Sequence, residues 1–435
     1  MMQQHPPSRK PRTAQLAVLS LAAAFALAGC SAGSDASSND GPVTITLATE
    51  TRFGETSAYE EIITAFNESN DQGITVELQE IPTESYSQTI RTQFQAGNAP
   101  DIIWGSPGSG SNNALGTFAD AGQLADLSDE EWASASIPAS SDELYYDDGV
   151  LSAVPVDVAP ISQVINVTGY GGAGISPATT YDEVLEQCAD VRSQGLTSLF
   201  GVAGAQTSNT GLLALELAAS KVYAADPDWN EQRAAGDVTF ADSDGWRATL
   251  ESVLDLNEAG CFQPGVEGGS PETVTPEFTV GKILSIFAPA GIAANLAELA
   301  PDAEISVAAF PGESADDTFL FASPSNALAI NAASAHVDAA KTLLEFWMEP
   351  ENLDAFAEIS GNVSLATVLN GTPVSERFAN LETYLTDPDR NAPLPNRVWP
   401  NTEVYDALGV GVQGLLTGQA TVDQVLESMD ATWQG

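Results

Sequence analysis

From Val43 onward, apolar residues recur in two alternating rhythms. Val43, Ile45 and Leu47 occupy every second position among threonine and alanine, the period of a strand. Ser57 and Glu60, spaced as a capping box, precede Ile62, Ile63 and Phe66 on one helical face, which predicts a helix to about Asn67. Ile74, Val76 and Leu78 alternate again. Tyr86, Ile90 and Phe94, four apart, then predict a second helix that stops at Gly97, and Ile102 to Trp104 a short buried strand. Strand, helix, strand, helix, strand with right-handed crossovers makes a mainly parallel sheet covered by helices, an α/β architecture. Ligands of such sheets bind beyond the carboxyl ends of the strands. That rim carries Glu50 and Arg52 after the first strand, and Trp104, Gly105 and Ser106 at the end of the third.

Ahead of this pattern stands a segment of another kind. Arg9, Lys10 and Arg12 precede an apolar run from Leu16 to Leu27, followed by Ala28, Gly29 and Cys30. The run is too short to span a bilayer, and small residues precede the cysteine, so the segment reads as an export signal ending in a lipobox. Residues 1–29 are expected to be removed and Cys30 to carry a lipid, which contributes about 0.8 kcal/mol per buried CH₂. Residues 30–42, rich in serine, glycine and aspartate, read as a lipidated flexible tether. The expected location is the outer face of the cytoplasmic membrane, with lipid as the attachment.

Charge narrows the partners. The chain has 14 basic and 60 acidic residues, a net charge of −46. Losing the three basic residues of the signal leaves 11 against 60, near −49. Such a field excludes nucleic acid. Scattered acids form a solvated surface in an exported protein, and a cationic ligand is the sharper alternative. About 400 residues beyond the tether exceed one ordinary domain, so two lobes are expected.

Candidate chemistry is sparse. Beyond the signal there is a single histidine, His336, at an expected helix start, and neither a serine triad nor a zinc site is built from one histidine. No cofactor or metal is called for. Two carboxylates suffice for glycoside hydrolysis, so a glycan-active hydrolase is the enzymatic alternative. Gly169 to Gly174 lacks the Lys-Ser/Thr ending of a phosphate loop. Tyr145 and Tyr146 are expected to pack on a strand entering the Asp148-Gly149 turn. Cys188 lies on the apolar face of a helix capped by Thr180, and Cys261 follows a second amphipathic helix. In an exported protein this even pair reads as a disulfide, against the alternative of two separate buried thiols.

Several motifs carry a family resemblance. Gln93 to Ile103 (QFQAGNAPDII), Asp148 to Pro155 (DGVLSAVP), Ala173-Gly174-Ile175 with Thr180 to Val184 (TYDEV), and Phe278 to Lys282 (FTVGK) come first. Phe310-Pro311-Gly312, Asp338 to Lys341 with Phe346-Trp347 and Pro350-Glu351, and Leu415 to Thr421 (LLTGQAT) follow in order. Together these resemble family 1 extracellular solute-binding proteins, the receptors of ABC importers. The resemblance implies a two-lobed, type II binding-protein fold that closes on its ligand about hinge strands. It places 43–157 with 312–360 in the first lobe and 158–311 with 361–435 in the second. It further implies a monomer, permease subunits as partners and a mono- or oligosaccharide as ligand. Asp157, Phe287, Asn362 and Trp399 join Glu50, Arg52, Trp104, Gly105 and Ser106 as ligand-binding candidates. Two departures from the family's sugar-binding pattern leave room for a polar or cationic solute. Ile165-Asn166-Val167 stands where relatives have Tyr-Asn-Lys, and Ala288 to Gly291 where many have a stacking tryptophan.

Overall fold

The computed structural model describes residues 42–51 and 55–433. The expected export signal, Cys30, the expected tether up to Gly41 and Arg52 lie outside the described residues. Thirteen strands are formed among the described residues: β1 (Val43–Thr51), β2 (Ile74–Pro82), β3 (Ile102–Gly105), β4 (Tyr146–Asp147), β5 (Val150–Leu151), β6 (Val154–Pro155), β7 (Val158–Asn166), β8 (Ser198–Gly201), β9 (Ile283–Pro289), β10 (Ile305–Ala308), β11 (Leu320–Pro324), β12 (Ala327–Ile330) and β13 (Asn391–Ala392).

The first sheet has the order β2-β1-β3-β12-β6. Its first three strands are parallel, and β12 runs against both β3 and β6. The expected β-α-β-α-β start is present, with helices Glu55–Ser69 and Thr83–Ala96 as crossovers. The second helix stops at Gly97 in the left-handed conformation, φ 70°, as the glycine predicted. The first helix begins at Glu55, two residues ahead of the expected cap position at Ser57. The Pro-Asp of the QAGNAPDII motif has a structural reason. Asp101 accepts from the Thr46 amide and hydroxyl and from the Ser334 hydroxyl, tying β1 to the turn after β12.

The second sheet has the order β13-β11-β7-β9-β8, with β10 also paired to β7. Here β7 runs against β9, β10 and β11, while β8-β9 and β11-β13 are parallel. Each sheet is therefore parallel in sense apart from one reversed strand, and the reversed strands are those on which the chain enters from the other sheet, β7 after β6 and β12 after β11. β11 belongs to the second sheet and β12 to the first, so the passage between them falls at Ser325-Asn326 and not near 312. One face of β7 adds Ile161 and Ile165 to an aromatic core with Phe200, Phe287 and Phe310. The other adds Val164 to the core that also covers the first sheet.

Local capping rules hold where the sequence marks them. Thr180 accepts from the Glu183 amide at the start of Tyr181–Ser193, and Asn166 accepts from the Gly169 amide at the start of Val167–Ala173. Helix Val337–Trp347 begins directly after His336. Asp148 and Gly149 both take positive φ, 46° and 83°, closing the β4-β5 hairpin as Asp-Gly turns do. Tyr145 ends helix Asp142–Tyr145 instead of lying on a strand. Cys188 and Cys261, both fully buried and 73 residues apart, are joined as a disulfide that ties Tyr181–Ser193 to the end of Asp244–Glu258.

Candidate functional site

Two chain passages connect the sheets, each two residues long. β6 ends at Pro155 and β7 starts at Val158; β11 ends at Pro324 and β12 starts at Ala327. Pro155 pairs with Ala327, and Pro324 with Val158, so the carboxyl rim of each sheet faces the other across these short links. A third segment joins them, since Val363 exchanges both main-chain hydrogen bonds with Val158. Ligands of open α/β sheets lie at such rims.

Asp157 sits where the three segments meet, fully buried. One carboxylate oxygen accepts from the Ser325 hydroxyl at 3.0 Å and the Asn326 amide at 3.2 Å. The other accepts from the side-chain amides of Asn326 and Asn362, each at 2.7 Å. Burial pushes its pKa up, and these four donations oppose that shift. The Asn326 side-chain oxygen, Oδ1, in turn accepts from the Trp104 indole at 2.8 Å. Trp104 is itself 2% exposed and packs edge-on against Tyr86, whose hydroxyl donates to its carbonyl.

Trp104, Asp157 and Asn362 are thus brought together, through Asn326, as a buried polar knot. Glu50, Gly105 and Ser106 line the same rim of the first sheet and are buried as well. Phe287 and Trp399 belong elsewhere. Phe287 packs against Phe200 and Phe310, and Trp399 against Phe240, Trp246 and Trp433, both inside the second lobe's core and without a face toward solvent. Within the segment Ala288 to Gly291, where the resemblance would place a stacking tryptophan, a Cβ at Gly291 would run into the Asn362 side chain.

Beyond β3 the loop 106–113 closes against residues 396–399. The amides of Ser109 and Gly110 both donate to the Arg397 carbonyl, at 2.9 and 3.0 Å, and the Ser109 hydroxyl donates to the Trp399 carbonyl. Gly108 (φ 76°) and Gly110 permit this contact, since a Cβ at either would run into the main chain of Asn396 or Arg397. Beside the clasp is a cavity of about 280 Å³ whose lining includes Asp120, Glu143, Tyr145, Tyr146, Asp147 and Val398. No lysine or arginine lines it among the described residues. Partial burial, and then the facing Glu231, hold the Glu143 carboxyl above its ordinary range. Burial, followed by the Asp157 charge, pushes the Tyr145 phenol well up, and the nearby Arg397 charge opposes that shift.

Sequence reasoning missed Ser325 and Asn326. Their signal is a polar pair interrupting two apolar strand runs in Leu320 to Ile330, with Asn326 fully buried. It also missed the clasp, which lies in Gly108-Ser109-Gly110 and, far along the chain, in Asn396-Arg397.

Solved structures share this architecture. RafE from Streptococcus pneumoniae in its apo form is 20% identical, with a TM-score of 0.73 over 91% of this chain and 98% of that one. A sugar transporter protein from Bacillus licheniformis in complex with stachyose is 20% identical, with a TM-score of 0.69 over 90% and 99%. The cyclic alpha-maltosyl-1,6-maltose binding protein from Arthrobacter globiformis is 18% identical, with a TM-score of 0.70 over 90% and 98%. At these identities the likeness establishes the two-lobed fold. No curated protein matches the chain. The model of the bacterial extracellular solute-binding protein family matches residues 52–353, most of the chain, and with the fold and the paired rims already described this protein belongs to that family.

Proposed function

We propose that this protein is the lipid-anchored receptor of an ABC importer, which captures an oligosaccharide between its lobes and presents it to membrane permease subunits. The observation that carries the reading is the opposition of two carboxyl rims across links of two residues, a geometry that lets rigid lobes rotate and enclose a solute. Family membership and the sugar complexes of structures with the same fold support the ligand class. Cys30 and its tether, read from the lipobox, keep the receptor beside its permease, and closure signals occupancy. Capture requires differential affinity for the closed state and no bond making.

A second reading of the ligand rests on the cavity beside the clasp. Asp120, Glu143 and Asp147 line it without a basic residue, which favours a polar or cationic solute over a neutral sugar.

The test is a thermal-shift panel on protein beginning at Ser31. Raffinose, stachyose and maltose-type oligosaccharides form one arm, and polyamines and betaines the other. A ligand at 100 times its Kd stabilises by about 2.7 kcal/mol, and small-angle scattering with that ligand should show a smaller radius of gyration. Binding in the first arm supports the sugar receptor, and binding in the second alone replaces it with the cationic reading. Hydrolysis of a glycosidic bond during the panel would overturn both. For the anchor, Cys30→Ala in a host that lipidates exported proteins should move the protein from the membrane fraction to the medium.

A further inference from the structure

We propose that Asp157 is the pin on which the two lobes turn, a positioning residue that sets the closed population and does not touch the ligand. The proposal rests on the reading of this chain as a closing receptor.

Asp157 is the acidic residue of the first link, and its carboxylate is held by residues of the other two segments, Ser325 and Asn326 on one side and Asn362 on the other. Its four donors fill both oxygens, so no lone pair is left for a solute. The main chain repeats the same union: the Val156 amide donates to the Asn326 carbonyl, and Val158 pairs with Val363. All three links are thus joined at a point, and the group at that point is the one best suited to rotation. A carboxylate accepts over a broad range of angles, so donors can exchange places around it while their number is kept, whereas a main-chain ladder must break to turn. Bonds to an ionised acceptor are also about twice as strong as neutral ones.

The pin has a line to the rim. Asn326, which donates twice to Asp157, accepts from the Trp104 indole, and Trp104 stands two residues before the loop that clasps Arg397 and Trp399. Movement of that loop on ligand entry therefore reaches the hinge through one side chain. Replacing Asp157 by asparagine keeps the shape but turns one acceptor oxygen into an amide donor, so in either orientation at least one N–H of Asn326 or Asn362 loses its acceptor.

The test uses ligand-free protein from Ser31 onward with spin labels at Asp71→Cys and Glu427→Cys, exposed positions on the first and second lobes, and with the Cys188–Cys261 disulfide intact. Distances between labels are measured by double electron–electron resonance. Asp157→Asn should broaden the distribution about twofold as a second lobe orientation becomes populated, and Asn362→Ala, which leaves three of the four donors, should broaden it less. If Asp157→Asn fails to fold, Asn362→Ala decides. A folded variant with a lowered melting midpoint and an unchanged distance distribution would overturn the proposal, because the knot would then be a structural contact only. No ligand enters the measurement, so a failed ligand panel leaves its outcome standing.

Discussion

Glu216 is an acidic residue in helix Thr207–Ala218, which is buried along most of its length. Both carboxylate oxygens are enclosed without a hydrogen-bond partner among the described residues, and burial pushes the pKa well above the ordinary carboxyl value. The folded state therefore holds a proton that the unfolded chain releases near pH 4.5. Stability from this group is fully present below that pH and is lost as pH rises toward the folded pKa, by about 1.4 kcal/mol per unit. Glu216→Gln should flatten this slope, so that urea unfolding at pH 5 and pH 8 differs less in the variant than in the parent. A steeper or equal slope in the variant would show that the carboxylate is ionised and paired. Trp399 poses a different question, since its sequence context reads as a ligand contact while its side chain is fully buried among Phe240, Trp246 and Trp433. Trp399→Ala is expected to cost about 3–5 kcal/mol of stability by denaturant titration, the range for truncating a core aromatic. Unchanged stability with lost binding would return it to the ligand site. Neither distinction is legible in sequence: a glutamate on a helix and a tryptophan before a proline look the same whether they face a cleft or a core.

Most elements follow from local rules. Helix Thr83–Ala96 ends where Gly97 supplies a left-handed residue, and the Asp148-Gly149 turn closes its hairpin. The Cys188 and Cys261 side chains meet because helix Tyr181–Ser193 and the segment just past helix Asp244–Glu258 bury them in the same core. Removing that disulfide by Cys188→Ala with Cys261→Ala should lower stability by about 2–5 kcal/mol, read as a lower urea midpoint. The clasp is the element that local rules do not supply. Gly108-Ser109-Gly110 has the composition of any loop, and its need for glycine arises only from the main chain of Asn396 and Arg397 lying against it. Gly110→Ala should therefore separate loop 106–113 from 396–399. The expected result is faster hydrogen exchange at the Ser109 and Gly110 amides with little change in the melting midpoint. Retained protection would mean that the loop is held by other contacts.

At the scale of the molecule, the net charge of −46 leaves few basic residues to offset repulsion, so the folded state should gain from screening. Raising ionic strength from about 10 mM to 150 mM, which shortens the screening length from roughly 30 to 8 Å, should raise the melting midpoint. A midpoint that falls with salt would point instead to ion pairs as the dominant electrostatic contribution. The sequence by itself determined the α/β class, the alternating strand and helix order from Val43 to Trp104, the helix stops and turns, and the family to which the motifs belong. These rest on periodicity and on residues with special backbone or capping properties, both of which act over a few positions. Only the tertiary structure decided that the return to the first sheet occurs at Ser325-Asn326, that Asp157 spends its carboxylate on three links, and that Phe287 and Trp399 are core. Each depends on which segments, distant in the chain, arrive at one place, and burial then fixes whether a polar or aromatic side chain meets protein or solute.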